Sequence, residues 1–170
     1  MRLTLPTLKY RKSFLKGLEE LEAKKETNSL NETGDPKTVF AYIRTTRNYS
    51  KGIGLPKGWV PHTTYWLTDS GEYIGDLNIR HRLNPSLKKV GGHIGYRIRP
   101  SKRNQGYGKK ILGLSLKKAR NMGLKKILMT CDKTNIASKR IIELNGGKLE
   151  KERSQGKGKP KKLFYWIRLK

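Results

Sequence analysis

Arg99-Pro100-Ser101-Lys102-Arg103-Asn104-Gln105-Gly106-Tyr107-Gly108-Lys109-Lys110 is the stretch on which the fold turns. The run His93 to Arg99 enters it as a strand, with Ile94, Tyr96 and Ile98 on one face. The run Lys109 to Met122 leaves it as a helix. Ile111, Ser115 and Ala119 form one row of that helix, Leu112 and Leu116 another, and Gly123 ends it. A strand and a helix joined by a short loop with two glycines and several cations suit a diphosphate. Glycine lets the main chain come close and adopt positive φ. The free N–H groups of the first helical turn point at the anion, and the helix dipole favours negative charge there. Arg103, Lys109 and Lys110 add positive charge. The plainer alternative is a basic turn in which one glycine relieves strain.

Beyond Gly123, Lys126 to Cys131 reads as a short buried strand. Asn135 caps a helix carrying Ile136, Ile141, Ile142 and Leu144, which Asn145-Gly146-Gly147 stops. Lys148 to Arg153 and Lys162 to Leu169 are two closing strands, with the basic turn Ser154 to Lys161 between them. On the N-terminal side, Gly91-Gly92 opens the central strand, and Leu83 to Val90 before it reads as a loop. Thr63 to Thr68 and Glu72 to His81 form a β-hairpin around Asp69-Ser70-Gly71. The loop Gly52 to Pro61 holds Trp59, which either shapes a substrate pocket or plugs the core edge. Asp35-Pro36 starts a helix with Val39, Phe40 and Ile43 on its apolar stripe, and Thr7 caps an earlier helix with Phe14, Leu15, Leu18 and Leu21 at helical spacing. Arg2 to Leu5 is a first strand. The order is β-α-α-β-β-β-α-β-α-β-β, an α/β chain with a mixed sheet.

With 170 residues the chain suits one domain, 1–170, around one core. Its hydrophobic content of 34% is low, but the apolar residues fall in periodic segments, which argues for a folded chain over a disordered one. The net charge of +26 attracts polyanions. A nucleic acid, a ribosome and an acidic small molecule all fit it, and so does a solvated lysine-rich surface. Cys131 is the sole cysteine, so no internal disulfide forms and a reducing compartment fits. No apolar run is long enough for a bilayer, and Met1 to Pro6 is too short for a secretory signal. The expectation is a cytoplasmic protein with no membrane partner.

The element order, with its glycine loop after the fourth strand, resembles the GNAT superfamily of acyl-CoA N-acyltransferases. The family signature, Arg or Gln, two residues, Gly, one residue, then Gly or Ala, stands here as Arg103, Gly106 and Gly108. A second signature stands as Asn135, Ser138 and Gly146-Gly147. Within the family the chain looks like a bacterial group of predicted acetyltransferases, through Trp59-Val60-Pro61, Thr64-Tyr65-Trp66-Leu67, Ile79-Arg80-His81 and Gly91-Gly92-His93-Ile94-Gly95-Tyr96. The resemblance implies a twisted, mostly antiparallel sheet of about seven strands with four flanking helices, strands four and five splaying apart. It implies acetyl-CoA as co-substrate and direct attack of a primary amine on the thioester within a ternary complex. Pantetheine would pair with strand four near Tyr96, Ile98 and Arg99. The pyrophosphate would sit on the loop from Arg103, Asn104 and Gln105 through Gly106, Tyr107, Gly108 and Lys109, with Asn135 and Ser138 on the far side of the arm.

One position departs from the family. The Tyr that many members carry seven residues after the Asn, to protonate the departing thiolate, is here Ile142. The general base is also open: His93, which has a suitable unperturbed pKa, and Glu72 are candidates, with Asp76 and His81 behind them. Cys131, His62 and Asp132 read as core or loop residues. The alternative function is a basic RNA- or ribosome-binding protein, or a catalytically weak relative, that uses the fold as a scaffold. The acceptor and the oligomeric state, a homodimer included, stay open.

Overall fold

The structure, a computed structural model, describes residues 1–26 and 38–169. Its strands are β1 (Arg2–Thr4), β2 (His62–Asp69), β3 (Glu72–Arg80), β4 (Ile94–Ile98), β5 (Lys126–Asp132), β6 (Lys148–Arg153) and β7 (Lys162–Arg168). Its α-helices are α1 (Arg11–Ala23), α2 (Val39–Ser50), α3 (Pro85–Lys89), α4 (Tyr107–Asn121) and α5 (Ile136–Leu144). Thr7 caps a 3-10 turn, Leu8–Tyr10, that runs into α1. Thr38 caps α2, its hydroxyl accepting from the Ala41 N–H at 3.1 Å. The anticipated start at Asp35-Pro36 lies outside the described residues.

The helix α3 was not anticipated; Leu83 to Val90 reads as a loop in the sequence. Asn84 caps it, its Oδ1 accepting from the Leu87 N–H at 2.8 Å, and Pro85 stands in the first turn. Five residues are too few to show a period, so only the cap and the proline announced it.

The strands form two sheets, β1-β2-β3-β4 and β5-β7-β6, and every ladder is antiparallel. The mixed sheet expected from the β4–α4–β5 crossover needs a parallel β4–β5 ladder, and that ladder does not form. A first core joins the two sheets to α4 and α5 through Leu77, Ile79, Ile111, Leu112, Ile127 and Tyr165. A second covers the opposite face of the first sheet with α1 and α2. There Phe14 stacks on Trp66 at 4.3 Å and meets Tyr73 edge-on at 5.1 Å. Such aromatic packing adds directional contacts to the area it buries.

Candidate active site

The two sheets meet at one point and then diverge. The His93 carbonyl accepts from Arg80 N–H of β3 at 2.8 Å, while the His93 N–H donates to the Leu128 carbonyl of β5 at 2.8 Å. The Leu128 N–H donates back to His93 Nδ1 at 2.8 Å. Gly92 permits this approach: its φ is +66°, and a Cβ there would lie 2.3 Å from the Leu128 carbonyl oxygen. Past this pivot the Arg99 N–H returns to β3, at Ile74 O, 3.0 Å. Main-chain groups alternate along an antiparallel strand, so those of Ile94, Tyr96 and Ile98 turn toward β5. No β5 ladder meets them. They edge a cleft of about 1250 Å³.

The loop after β4 closes one end of that cleft. Asn104 and Gly106 are both left-handed, with φ of 59° and 78°. From Asn104 to Lys109, six consecutive main-chain N–H groups have no acceptor among the described residues. They form a concave nest at the N-terminus of α4, where the dipole reinforces them. The two signature glycines have different duties. Gly106 supplies the positive φ at the cap, with open space around it. Gly108 lets α4 and α5 close up, since a Cβ there would meet Ile141 Cδ1 at 2.5 Å. Across the cleft, the Asn135 side chain caps α5 through Ser138 N–H at 2.9 Å.

A family model described as an acetyltransferase (GNAT) domain matches residues 15–148. The chain belongs to the GNAT acetyltransferase family. No curated protein matches the sequence. Among solved structures, a Salmonella typhimurium acetyl transferase that modifies the N-terminal serine of a 50S ribosomal subunit protein is 17% identical. That match covers 99% of this chain and 94% of the other, with a TM-score of 0.67. The microcin C7 self-immunity acetyltransferase, solved with acetyl-CoA and AMP, is 13% identical over 98% of this chain and 91% of its own, at 0.66. A ribosomal-protein α-N-acetyltransferase solved with coenzyme A is 17% identical over 94% and 86%, at 0.63. At these identities the likeness speaks for the fold. Membership of this family makes the chain an acetyltransferase.

Seven of the residues expected to hold the co-substrate line the GNAT cleft: Tyr96, Ile98, Arg103, Asn104, Gly108, Asn135 and Ser138. Gln105, Gly106, Tyr107 and Lys109 lie in the adjoining nest, and two of them turn their side chains elsewhere. Gln105 Nε2 donates to Ser101 O at 3.0 Å, and the Tyr107 hydroxyl donates to Asp69 at 3.2 Å. Arg103 forms a bidentate pair with Glu26 at 2.7 and 2.8 Å, which holds the Glu26 carboxyl below its ordinary pKa.

Arg99 departs from expectation. Its side chain is 2% exposed and pairs with Glu20, while donating to Ser13 Oγ and Tyr73 O, each at 3.2 Å. With its N–H also bonded to β3, it braces the first sheet against α1 and is placed away from the cleft.

The expected bases are displaced as well. His93 is buried at the pivot, its Nδ1 already accepting a hydrogen bond, and burial drives its pKa down to about 4. Glu72 is ion-paired to Lys102 at 2.6 Å, which lowers its pKa, and lies outside the cleft. Asp76 does line the cleft, but it accepts from the Tyr73 hydroxyl at 2.6 Å and pairs with Arg97 at 3.3 Å. His81 Nε2 lies 2.9 Å from Thr63 Oγ1, beyond the cleft wall. Ile142, at the usual tyrosine position, is fully buried in the core.

Two groups were missed. His62 lines the cleft, buried beside Trp59 at 5.6 Å and Tyr49 at 5.5 Å. Its Nδ1 lies 3.0 Å from the Val60 carbonyl, which only accepts, so Nδ1 carries the proton and Nε2 keeps its lone pair. Burial is the main force lowering its pKa, and the charges of Arg80 and His81 add to it. The ring is therefore neutral at neutral pH. Extending the β2 alternation back one residue, onto the face of Thr64 and Trp66, would have found it. The second group is the Tyr96 hydroxyl, buried on the side of the Ser138 hydroxyl. Burial raises its pKa, an effect that Ser138 partly offsets.

Proposed function

We propose that the chain moves the acetyl group of acetyl-CoA to a primary amine by direct attack, with His62 as proton acceptor and Tyr96 as proton donor to the sulfur. The observation that carries this reading is the unladdered edge of β4 leading into the six-amide nest. The nest binds the diphosphate, and the Tyr96 and Ile98 main chain pairs with the pantetheine arm. The thioester supplies an activated acyl carbon with a good leaving group. A β4 N–H polarises its carbonyl. The amine nitrogen attacks that carbon, the C–N bond forms and the C–S bond breaks. His62 Nε2 takes the proton that the attacking nitrogen sheds, and Tyr96 gives one to the sulfur from the place that Ile142 leaves empty of acid chemistry.

The cleft also constrains the acceptor. Its carboxylates, Glu26 and Asp76, are paired to Arg103 and Arg97, and its far end carries Trp59, His62 and Arg80. Among the described residues, nothing there favours a polycation. The acceptor is a single amine on a neutral or anionic body, such as a peptide α-amino group.

The test is release of free thiol from acetyl-CoA across a panel of amines that includes a serine-initiated peptide and a polyamine. Turnover with the peptide supports the reading; absence of turnover with every amine overturns it. With the acceptor so found, His62→Gln lowers kcat by about a hundredfold and leaves acetyl-CoA affinity unchanged. The acid limb of the pH–rate profile disappears with it. Tyr96 is read without an acceptor, from thiolate absorbance of bound free CoA. Tyr96→Phe raises the bound thiol pKa by about one unit, the worth of one lost hydrogen bond. An unchanged value removes Tyr96 from the mechanism.

A further inference from the structure

Among the described residues, the helices α4 and α5 pack on the core face of the β5-β7-β6 sheet. Ile127, Met129, Cys131, Leu163, Tyr165 and Ile167 point into the core. Directly opposed residues share a face, so the register assigns the other one. It carries Lys126 opposite Arg168, then Leu128, Trp166 and Lys148 in one row, then Thr130, Phe164 and Lys151, then Asp132, Lys162 and Arg153. Six of these residues are cations. Asp132 pairs with Lys162 at 2.6 Å, and Glu150, in the β6 bulge, with Lys151 at 3.5 Å. Lys126, Lys148, Arg153 and Arg168 have no acidic partner among the described residues.

The aromatics lie among these charges. Lys126 Nζ is 4.7 Å from the centre of the half-buried Trp166 ring. Lys151 and Arg153 are 5.6 and 5.7 Å from that of Phe164, which is buried beneath them. All of β6 is exposed. Lys157 and Lys159, in the exposed turn beyond it, extend the positive field. Cations around a flat aromatic platform satisfy both parts of a single-stranded nucleic acid: phosphates by charge and bases by stacking. A duplex would offer only its phosphates, because its bases are already stacked. Thr130 and Lys162 belong both to this face and to the wall of the acetyl cleft.

We infer that the open face of the β5-β7-β6 sheet binds single-stranded nucleic acid, with Trp166 as its stacking platform and Lys126, Lys148, Lys151, Arg153 and Arg168 on its phosphates. The site is independent of acetyl transfer, and its test uses no acetyl-CoA.

Fluorescence anisotropy of labelled oligouridine, freed of competing polyanion, reads the binding. Affinity falls with salt, and log K against log salt has a slope of about −3, near −0.7 per phosphate contact. The triple variant Lys148→Gln, Lys151→Gln, Arg153→Gln makes the slope shallower by about 2. A control with the same loss of charge on α1 and its C-cap, Lys12→Gln, Lys16→Gln, Lys24→Gln, leaves the slope unchanged. Trp166→Leu weakens oligouridine about tenfold and a duplex of the same length much less. Absence of binding at low salt, or an equal loss in the α1 control, overturns the inference. So does loss of binding to phosphatidylserine vesicles in the sheet triple while oligouridine binding persists. A thermal melt of each variant separates lost contacts from lost folding.

Discussion

Gly106→Val reduces acetyl-CoA affinity by about a thousandfold. Gly106 caps α4 at φ 78°, and a β-branched residue does not settle there. The backbone relaxes toward negative φ, which turns the neighbouring N–H groups out of the nest. Hydrogen bonds to a charged acceptor contribute about 1.5–3 kcal/mol each, so losing two of the six reaches that magnitude. The fold tolerates the change better than the ligand does. Among the described residues, no atom other than the chain neighbours lies within 4 Å of a Cβ at Gly106, so the penalty to stability is the backbone strain, about 1–2 kcal/mol. Calorimetric titration with acetyl-CoA at moderate salt, beside a simple polyanion, measures the first quantity, and a thermal melt the second. Retained tight binding in a folded variant would take the diphosphate away from this loop. Gly108→Ala separates the two glycines: its Cβ strikes Ile141 of α5, so stability falls along with affinity.

Glu20→Ala destabilises the fold by about 3–5 kcal/mol, the effect of leaving a buried charge without its partner. The charge is the Arg99 guanidinium at the end of β4. Glu20 also accepts from the Ser101 N–H at 3.0 Å and the Ser101 hydroxyl at 2.9 Å, so it ties α1 to the start of the glycine loop. Urea unfolding will show a lower midpoint with an unchanged slope. The double replacement Glu20→Leu, Arg99→Met recovers much of the loss, since it removes both charges together. A single replacement as harmless as the double one would mean that the pair contributes nothing.

Acid weakens the protein most through two groups. The Glu20 pKa is held at about 2 by Arg99 first and Ser101 next, against an ordinary 4.5. The folded value lies below the unfolded one, so its contribution is complete above pH 4.5 and is lost as pH falls toward 2. It amounts to about 3 kcal/mol. His93 acts earlier. Its folded value of about 4 lies below the ordinary 6.5, so the unfolded chain takes up the proton first. Stability therefore begins to fall near pH 6.5 and loses about 3 kcal/mol by pH 4. Unfolding free energy measured from pH 7 to pH 4 will fall in wild type and stay flatter in His93→Gln, whose intrinsic stability is lower.

The signatures at Arg103, Gly106, Gly108 and Asn135 were legible because each is local. A left-handed cap and a side-chain cap are decided within a few residues of the chain. The hairpin and the long helices were legible for the same reason, through period and punctuation. Helix α3 was not, because a single turn has no period. The proposed proton acceptor and donor were not legible either, because a role depends on what a side chain faces. His93 and His62 are the same residue type at the starts of β4 and β2, on either side of β3. One has its ring nitrogen bonded to the Leu128 N–H across the pivot, and the other keeps its Nε2 lone pair at the cleft. Arg99 and Arg103 are four residues apart, yet one pairs with Glu20 and the other with Glu26, partners some eighty residues away in the chain.

The sequence alone determined the element order apart from α3, the glycine loop and the GNAT family, because these rest on short-range backbone chemistry repeated in fixed positions. Only the tertiary structure decided which side chains face the cleft, which cations are already paired, and that cations and Trp166 share one face of the β5-β7-β6 sheet. Those follow from how far two sheets diverge after a single pair of hydrogen bonds at His93, a quantity that no local spacing encodes.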